Sequence, residues 1–281
     1  MVTIVQHDFN RQILNEVRHR PWPMPDAPWL MTQTWHDLLF AHWQVDPATL
    51  ASRIPPHFEL DMYEGTAWVG VVPFRMTNVA PRYVPALPWV SAFPELNVRT
   101  YVRAGGKPGV YFFSLDAGNP IAVLAARTLL NLPYYFASMT VEVRGTVVRC
   151  TSRRTPPPPG FGAARSPSSV SSDAGSGAAA ELVAEYEPVG SAFQPAAGSL
   201  EYFLTERYCL YALDHGARPY RLEIHHPPWP LHTAAARFER ITVAEASGIL
   251  LPQQDALLHF VKRQDMVAWG KTMLKVESLE L

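Results

Sequence analysis

From about residue 60 onward the hydrophobic positions follow a strand pattern. "TAWVGVVPFRMTNV", "LNVRTYVR" and "GVYFFSLD" are rich in β-branched and aromatic residues. The last two flank "AGGKPG", a hairpin turn by composition. "SMTVEVRGTVVRCTSRR" predicts two further strands about Gly145. In the second half, "LEYFLTERYCLYAL", "RPYRLEIHHPPWPLHTAAARFE" and "LLHFVKRQDMVAW" also read as strands with turns. Helical spacing is rarer. Ile13, Leu14 and Val17 suggest a short helix within residues 1–20. "PATLASRI" is a short helix with Asp46 as N-cap and Pro47 in its first position, stopped by Pro55 and Pro56. Residues 120–131 form the best internal helix, with Pro120 in the first turn, Leu124, Thr128, Ala125 and Leu129 on one face, and Pro133 beyond its end.

These elements predict a single α+β domain over residues 1–281, with its core at about 28–270. It is a mainly antiparallel, barrel-like sheet enclosing a central helix. Residues 155–179, rich in Pro, Gly, Ser and Ala, read as a flexible low-complexity loop within that domain, with a linker between two domains as the competing reading. The 27 prolines fit many short strands joined by rigid turns better than a helical protein.

Composition narrows the partners. The net charge is −1 and no basic patch is interleaved with aromatics, so nucleic acid is not an expected ligand. No apolar run reaches the roughly 18 residues of a membrane span, and the N-terminus lacks a secretory apolar region. Cys150 and Cys209 read as small buried hydrophobes in a reducing compartment, so the expectation is a cytoplasmic protein. The eight tryptophans leave room for a homo-oligomer interface. No phosphate-binding glycine loop or nucleophile elbow is present. His225 and His226 are adjacent, so on a strand they point apart, and neither a metal nor a cofactor is expected.

What remains is charge embedded in apolar segments. Glu95 and Arg99 in "FPELNVRTYV" are four apart and share a strand face, with Asn97 between them and Tyr101 beyond. Glu206 and Arg207 lie in "FLTERYCLY", and Arg127 lies on the internal helix ahead of Tyr134 and Tyr135. An isolated buried charge costs several kcal/mol, so these groups need partners. They either form structural ion pairs or line a cavity for a small anionic or carbonyl ligand.

Several phrases resemble the YqjF-like family of uncharacterised conserved proteins: "LLFAHWQV", "AWVGVVPFRM", "FPELNVRTYV", "VYFFSLDAGNP", "RTLLNLPYYFASMTVEVRG", "FLTERYCLY" and "HHPPWPL". That family is similar in turn to the acetoacetate decarboxylase superfamily. The resemblance implies a cone-like antiparallel barrel around a central helix, with the pocket at residues 127–135 and Glu95 as a pocket carboxylate. Decarboxylases of this type carry a Gly-Arg-Glu helix, then a proline followed by two lysines, one of which forms an imine with the oxo acid. Here Ala126, Arg127 and Thr128 fall where that helix would be, Pro133 keeps its spacing, and Tyr134 and Tyr135 stand where the lysines would. A phenol forms no imine. The four lysines are Lys107, Lys262, Lys271 and Lys275, and none is placed to substitute.

Two functions follow. In the first, a pocket takes a small oxo- or hydroxy-acid: Arg127 holds its carboxylate, Arg99, Glu206 and Arg207 line the site, and Tyr134, Tyr135 and Glu95 supply acid–base chemistry. In the second, the protein is a non-catalytic structural or interaction protein and the same charges form a buried network.

Overall fold

A computed structural model describes residues 12–87, 89–159 and 179–275. Twelve strands form one sheet: β1 (Met31–Val45), β2 (Glu59–Leu60), β3 (Ala67–Pro81), β4 (Phe93–Ala104), β5 (Lys107–Ala117), β6 (Tyr134–Arg144), β7 (Val147–Arg154), β8 (Glu181–Phe193), β9 (Cys209–Leu213), β10 (Pro219–His225), β11 (Leu231–Ile241) and β12 (Leu257–Met273). Most neighbours are antiparallel. β5 pairs in parallel with β6 and with β9.

The sheet closes on itself through a fork. β12, β1, β3, β4 and β5 are neighbours in that order. The far edge of β5 then divides, with Val110 and Tyr111 pairing with β9 and Leu115 to Ala117 pairing with β6. β12 divides in the same way, between β11 at Phe260 and His259 and β10 at residues 267–273. Two rings therefore share five strands, one returning through β9 and β10, the other through β6, β7, β8 and β11. The residues after the fork in β5 lead into the helix Pro120–Ala125.

The fork demands a close approach. A Cβ on Gly109 would fall 2.7 Å from the Cys209 carbonyl oxygen, from its Sγ and from Tyr211 Cε2. The Gly109→Ala variant is expected to lose about 1–3 kcal/mol, the usual cost of an overpacked site, read from chemical denaturation.

Local chemistry explains most elements. Gly105 and Gly106 both take positive φ in the β4–β5 hairpin, and Gly145 does so between β6 and β7. The Asp46 carboxylate accepts from Thr49 N at 3.1 Å and starts the helix Pro47–Ala51. Asn119 caps Pro120–Ala125, its Oδ1 accepting from Ile121 N and Ala122 N. This helix runs into one π-helical turn, Ala126–Leu130, which Asn131 ends in the left-handed conformation. Val123 and Arg127 are its buried residues, while Leu124, Ala125, Thr128 and Leu129 face outward. So short a helix buries one stripe, and the sheet takes the stripe led by Val123.

One expectation is corrected. Leu200–Thr205 is helical, and strand begins only at Cys209. Ser199 Oγ accepts from Tyr202 N at 3.2 Å, and Leu204 is fully buried. A six-residue segment has no decisive period, so the cap and the packing of Leu204 settled it. The low-complexity loop falls largely on residues 160–178, and the N-terminal helix partly on residues 1–11. Both stretches lie outside the described residues, although residues 12–15 form a helical turn.

The chain after that turn straps across β10. Arg20 donates to Glu223 Oε2 at 3.2 Å, and Trp22 Nε1 donates to the same oxygen at 2.8 Å. His225 Nε2 meets the Ile13 carbonyl at 2.9 Å. The buried core divides into clusters on the two faces of the sheet. The larger includes Leu39, Val69, Leu96, Val98 and Tyr186, and another includes Phe40, Val72, Phe74, Phe136 and Trp229.

Candidate active site

β4 places Glu95, Asn97, Arg99 and Tyr101 on one face by strand alternation. The register sets Glu95 opposite Phe74, Asn97 opposite Val72 and Arg99 opposite Gly70, while Gly70 in turn lies opposite His42 of β1. The face is thus the one carrying Phe40, Val72 and Phe74.

β6 delivers the tyrosines. Tyr134 pairs with Leu115 and Tyr135 with Asp116, so the adjacent rings point to opposite faces. The Tyr134 hydroxyl donates to Glu95 Oε2 at 2.7 Å. Burial and the nearby Asp116 carboxylate push Glu95 up to about 7, although the Tyr134 hydrogen bond opposes them. Burial and the Glu95 charge hold the Tyr134 phenol well above its ordinary value, so it stays a donor. Tyr135 is on the other side of the sheet, with the Arg154 guanidinium 3.9 Å above its ring. Arg154 Nε also donates to Asp116 Oδ1 at 2.8 Å. Burial raises Asp116 to about 6 against the pull of Arg154.

Arg127 is buried on the π-helical turn, four residues after Val123 and just before Tyr134. Arg99 Nη2 donates to the Leu204 carbonyl at 3.2 Å, and its guanidinium lies 5.0 Å from the Phe40 ring centroid. His42 is fully buried, its Nε2 2.6 Å from the Tyr101 hydroxyl, which donates to Leu204 O at 2.8 Å. Burial and the Arg99 charge keep His42 neutral, well below its ordinary pKa.

Glu206 and Arg207 are engaged elsewhere. Arg207 Nη1 donates to Asp61 Oδ2 at 2.6 Å and its Nε to Phe203 O at 2.6 Å. Asp61 also holds Arg103 at 3.0 Å. Glu206 accepts from Trp229 N at 2.9 Å and from the Tyr208 hydroxyl. The structure therefore brings Glu95 and Tyr134 into contact and sets Arg99 on the same face. It separates Tyr135 from them and ties Arg207 to a structural carboxylate.

The lysines make contacts of their own. Lys107 pairs with Glu223 at 3.0 Å, Lys262 with Asp37 at 2.6 Å, Lys271 sits 4.7 Å from the Tyr220 ring centroid, and Lys275 is exposed. Two surface hollows of about 500 and 270 Å³ border the N-terminal turn and Pro227–Pro228; neither is lined by Glu95, Arg99, Arg127 or Tyr134. Among the described residues, no cluster of His, Cys, Asp and Glu is arranged to hold a metal, and no helix is long and apolar enough to cross a membrane.

Residues 32–265 match DUF2071, described as an uncharacterized conserved protein. The chain belongs to this family. It is 44% identical over 246 residues to the uncharacterized protein YqjF of Bacillus subtilis (strain 168), spanning 88% of this chain and 93% of YqjF. The fold is also that of acetoacetate decarboxylase-like proteins. The acetoacetate decarboxylase of Legionella pneumophila aligns with a TM-score of 0.56 at 13% identity, covering 94% of this chain and 95% of that one. The enduracididine biosynthesis enzyme MppR, complexed with pyruvate, aligns with a TM-score of 0.54 at 12% identity over 92% and 93% of the two chains. For this DUF2071 member the alignments show a shared architecture.

Sequence reasoning missed His42, Asp116 and Arg154. His42 and Asp116 were visible as polar residues in apolar strands, the same signal that singled out Glu95, whereas Arg154 ends a strand already rich in polar residues. Their significance arises from neighbours on other strands.

Proposed function

We propose that this protein binds a small oxo- or hydroxy-acid on the inner face of its closed sheet and moves a proton on it without forming an imine. The observation that carries this reading is the buried Tyr134–Glu95 hydrogen bond, 2.7 Å long, with the carboxyl raised to about 7. A base near neutrality is matched to proton abstraction beside a carbonyl. Arg127, buried at the entrance to β6, holds the acid's carboxylate through its planar fork. Tyr134 stays protonated and steadies the ionised Glu95. Pyruvate in complex with MppR, which shares the fold, supports an oxo acid as the ligand class. Tyr134 and Tyr135 stand where the decarboxylases carry their two lysines, which supports a route without an imine.

The test is solvent deuterium incorporation at the carbon beside the carbonyl of pyruvate, followed by NMR. The exchange rate is expected to rise as pH increases through about 7, where Glu95 ionises. Glu95→Gln should lower it by about 10²–10⁴-fold. In parallel, pyruvate at 100 times its Kd should stabilise the wild type by about 2.7 kcal/mol, and Arg127→Ala should abolish that gain. Exchange in the absence of Glu95, or a thermal shift indifferent to Arg127, would refute the assignment. A scaffold reading is favoured by the Arg207–Asp61–Arg103 cluster alone, whose members satisfy one another.

A further inference from the structure

Arg99 contrasts with four other guanidiniums packed against carboxylates in this fold. Arg20 has Glu223, Arg75 has Asp37, Arg154 has Asp116 and Arg207 has Asp61. Among the described residues, no carboxylate lies within 4 Å of Arg99. Its guanidinium donates to neutral oxygens, Leu204 O at 3.2 Å and the Tyr101 hydroxyl at 3.4 Å, and its Nε is buried with no hydrogen-bond partner. A partly buried cation facing neutral groups has desolvation unrepaid by any ion pair.

The same face carries further unanswered polar atoms. Trp68 Nε1 and Trp229 Nε1 are buried donors with no partner, and Asn97 Oδ1, His42 Nδ1 and His259 Nδ1 are likewise unpartnered. These residues are all at most 5% exposed. Register and packing put them together. His42 and Arg99 flank Gly70, Asn97 lies opposite Val72, His259 lies opposite Phe40, and Trp229 meets the Phe40 ring at 5.0 Å. Native interiors leave few such atoms unsatisfied, so a concentration of them beside an uncompensated cation marks a place where something polar belongs.

Arg99 is four residues from Glu95 on one strand face, about 13 Å along β4 at the usual rise per residue. A molecule whose carbonyl sits at Glu95 and Tyr134 reaches Arg99 only through an extended chain. Resting on the oxo-acid reading above, we propose that the ligand is an elongated dicarboxylic oxo acid, with Arg99 receiving its distal carboxylate. The tryptophan N–H groups are neutral donors for that end of the ligand, and Asn97 and His42 are acceptors for its accompanying water.

The experiment compares acids of equal length by isothermal titration of the full chain. 2-Oxoadipate and 2-oxosuberate are set against 2-oxohexanoate and 2-oxooctanoate, which lack only the second carboxylate. At least one diacid is expected to bind about tenfold or more tightly than its matched monoacid. Arg99→Met should erase that ratio, and Arg99→Lys should keep part of it. Matched acids of equal affinity in the wild type would overturn the dicarboxylate proposal while leaving the oxo-acid reading intact. A preference that persists in Arg99→Met would place the second carboxylate elsewhere and overturn it as well. Failure of all four acids and of pyruvate would remove both. If Arg99→Met does not fold, the wild-type comparison and Arg99→Lys still decide.

Discussion

Replacing Glu223 with Ala is expected to cost about 3–5 kcal/mol of stability, the largest effect of any single change considered. Glu223 lies near the middle of β10, almost fully buried, and four donors converge on it. Arg20 and Trp22 reach Oε2 at 3.2 and 2.8 Å, and Lys107 and Arg221 reach Oε1, both at 3.0 Å. The Arg20 side chain is 1% exposed. Without the carboxylate its charge stays buried and unmatched. The neighbouring contacts amplify the loss. Arg20 also donates to Ile224 O at 2.6 Å and stacks 4.9 Å from the Tyr208 ring, so the strap over β10 is released with it. Urea denaturation followed by tryptophan fluorescence reads the effect, because Trp22 leaves its partner in the same event. A loss below about 1 kcal/mol would show that the strap is held by packing rather than by this cluster.

The second large effect concerns Glu95 and pH. Its carboxyl is raised to about 7 in the folded protein against an ordinary value of 4.5. The folded state therefore holds a proton there that the unfolded chain has released. Stability from this group is fully present below pH 4.5 and is lost as pH rises to about 7. Above that the deficit levels off at about 3 kcal/mol, from 1.36 kcal/mol per pKa unit. Glu95→Gln cannot ionise and keeps an oxygen for the Tyr134 hydroxyl. It is expected to gain stability over the wild type as pH rises from 5 to 8, by about 2.5 kcal/mol, while losing exchange activity. Paired denaturation curves at the two pH values isolate this group, since other titrations are common to both proteins. A constant difference between the curves would mean that Glu95 is already ionised at pH 5.

Much of the site was legible because strand alternation is a local rule. Glu95, Asn97, Arg99 and Tyr101 share a face in any β-strand, so their alignment was fixed once "FPELNVRTYV" was read as one. The same rule separates Tyr134 from Tyr135, a consequence that the sequence carried and that strand pairing to Leu115 and Asp116 made definite. Arg207 illustrates the opposite case. Its chemistry is indistinguishable from that of Arg99 in sequence, yet Asp61, 146 residues away, claims it, and nothing among the described residues offers Arg99 a carboxylate.

The amino-acid sequence by itself determined most of the strands, the hairpin glycines, the Asp46 cap and the alternation of Glu95, Asn97, Arg99 and Tyr101 along β4, because each depends on residues within a few positions of one another. Tertiary structure decided the fork in β5, the helical state of Leu200–Thr205, and which charged groups are paired and which face the interior unanswered. Those outcomes depend on contacts between segments distant along the chain. Where such segments meet, burial makes a partner's presence or absence worth several kcal/mol, and no local pattern records it.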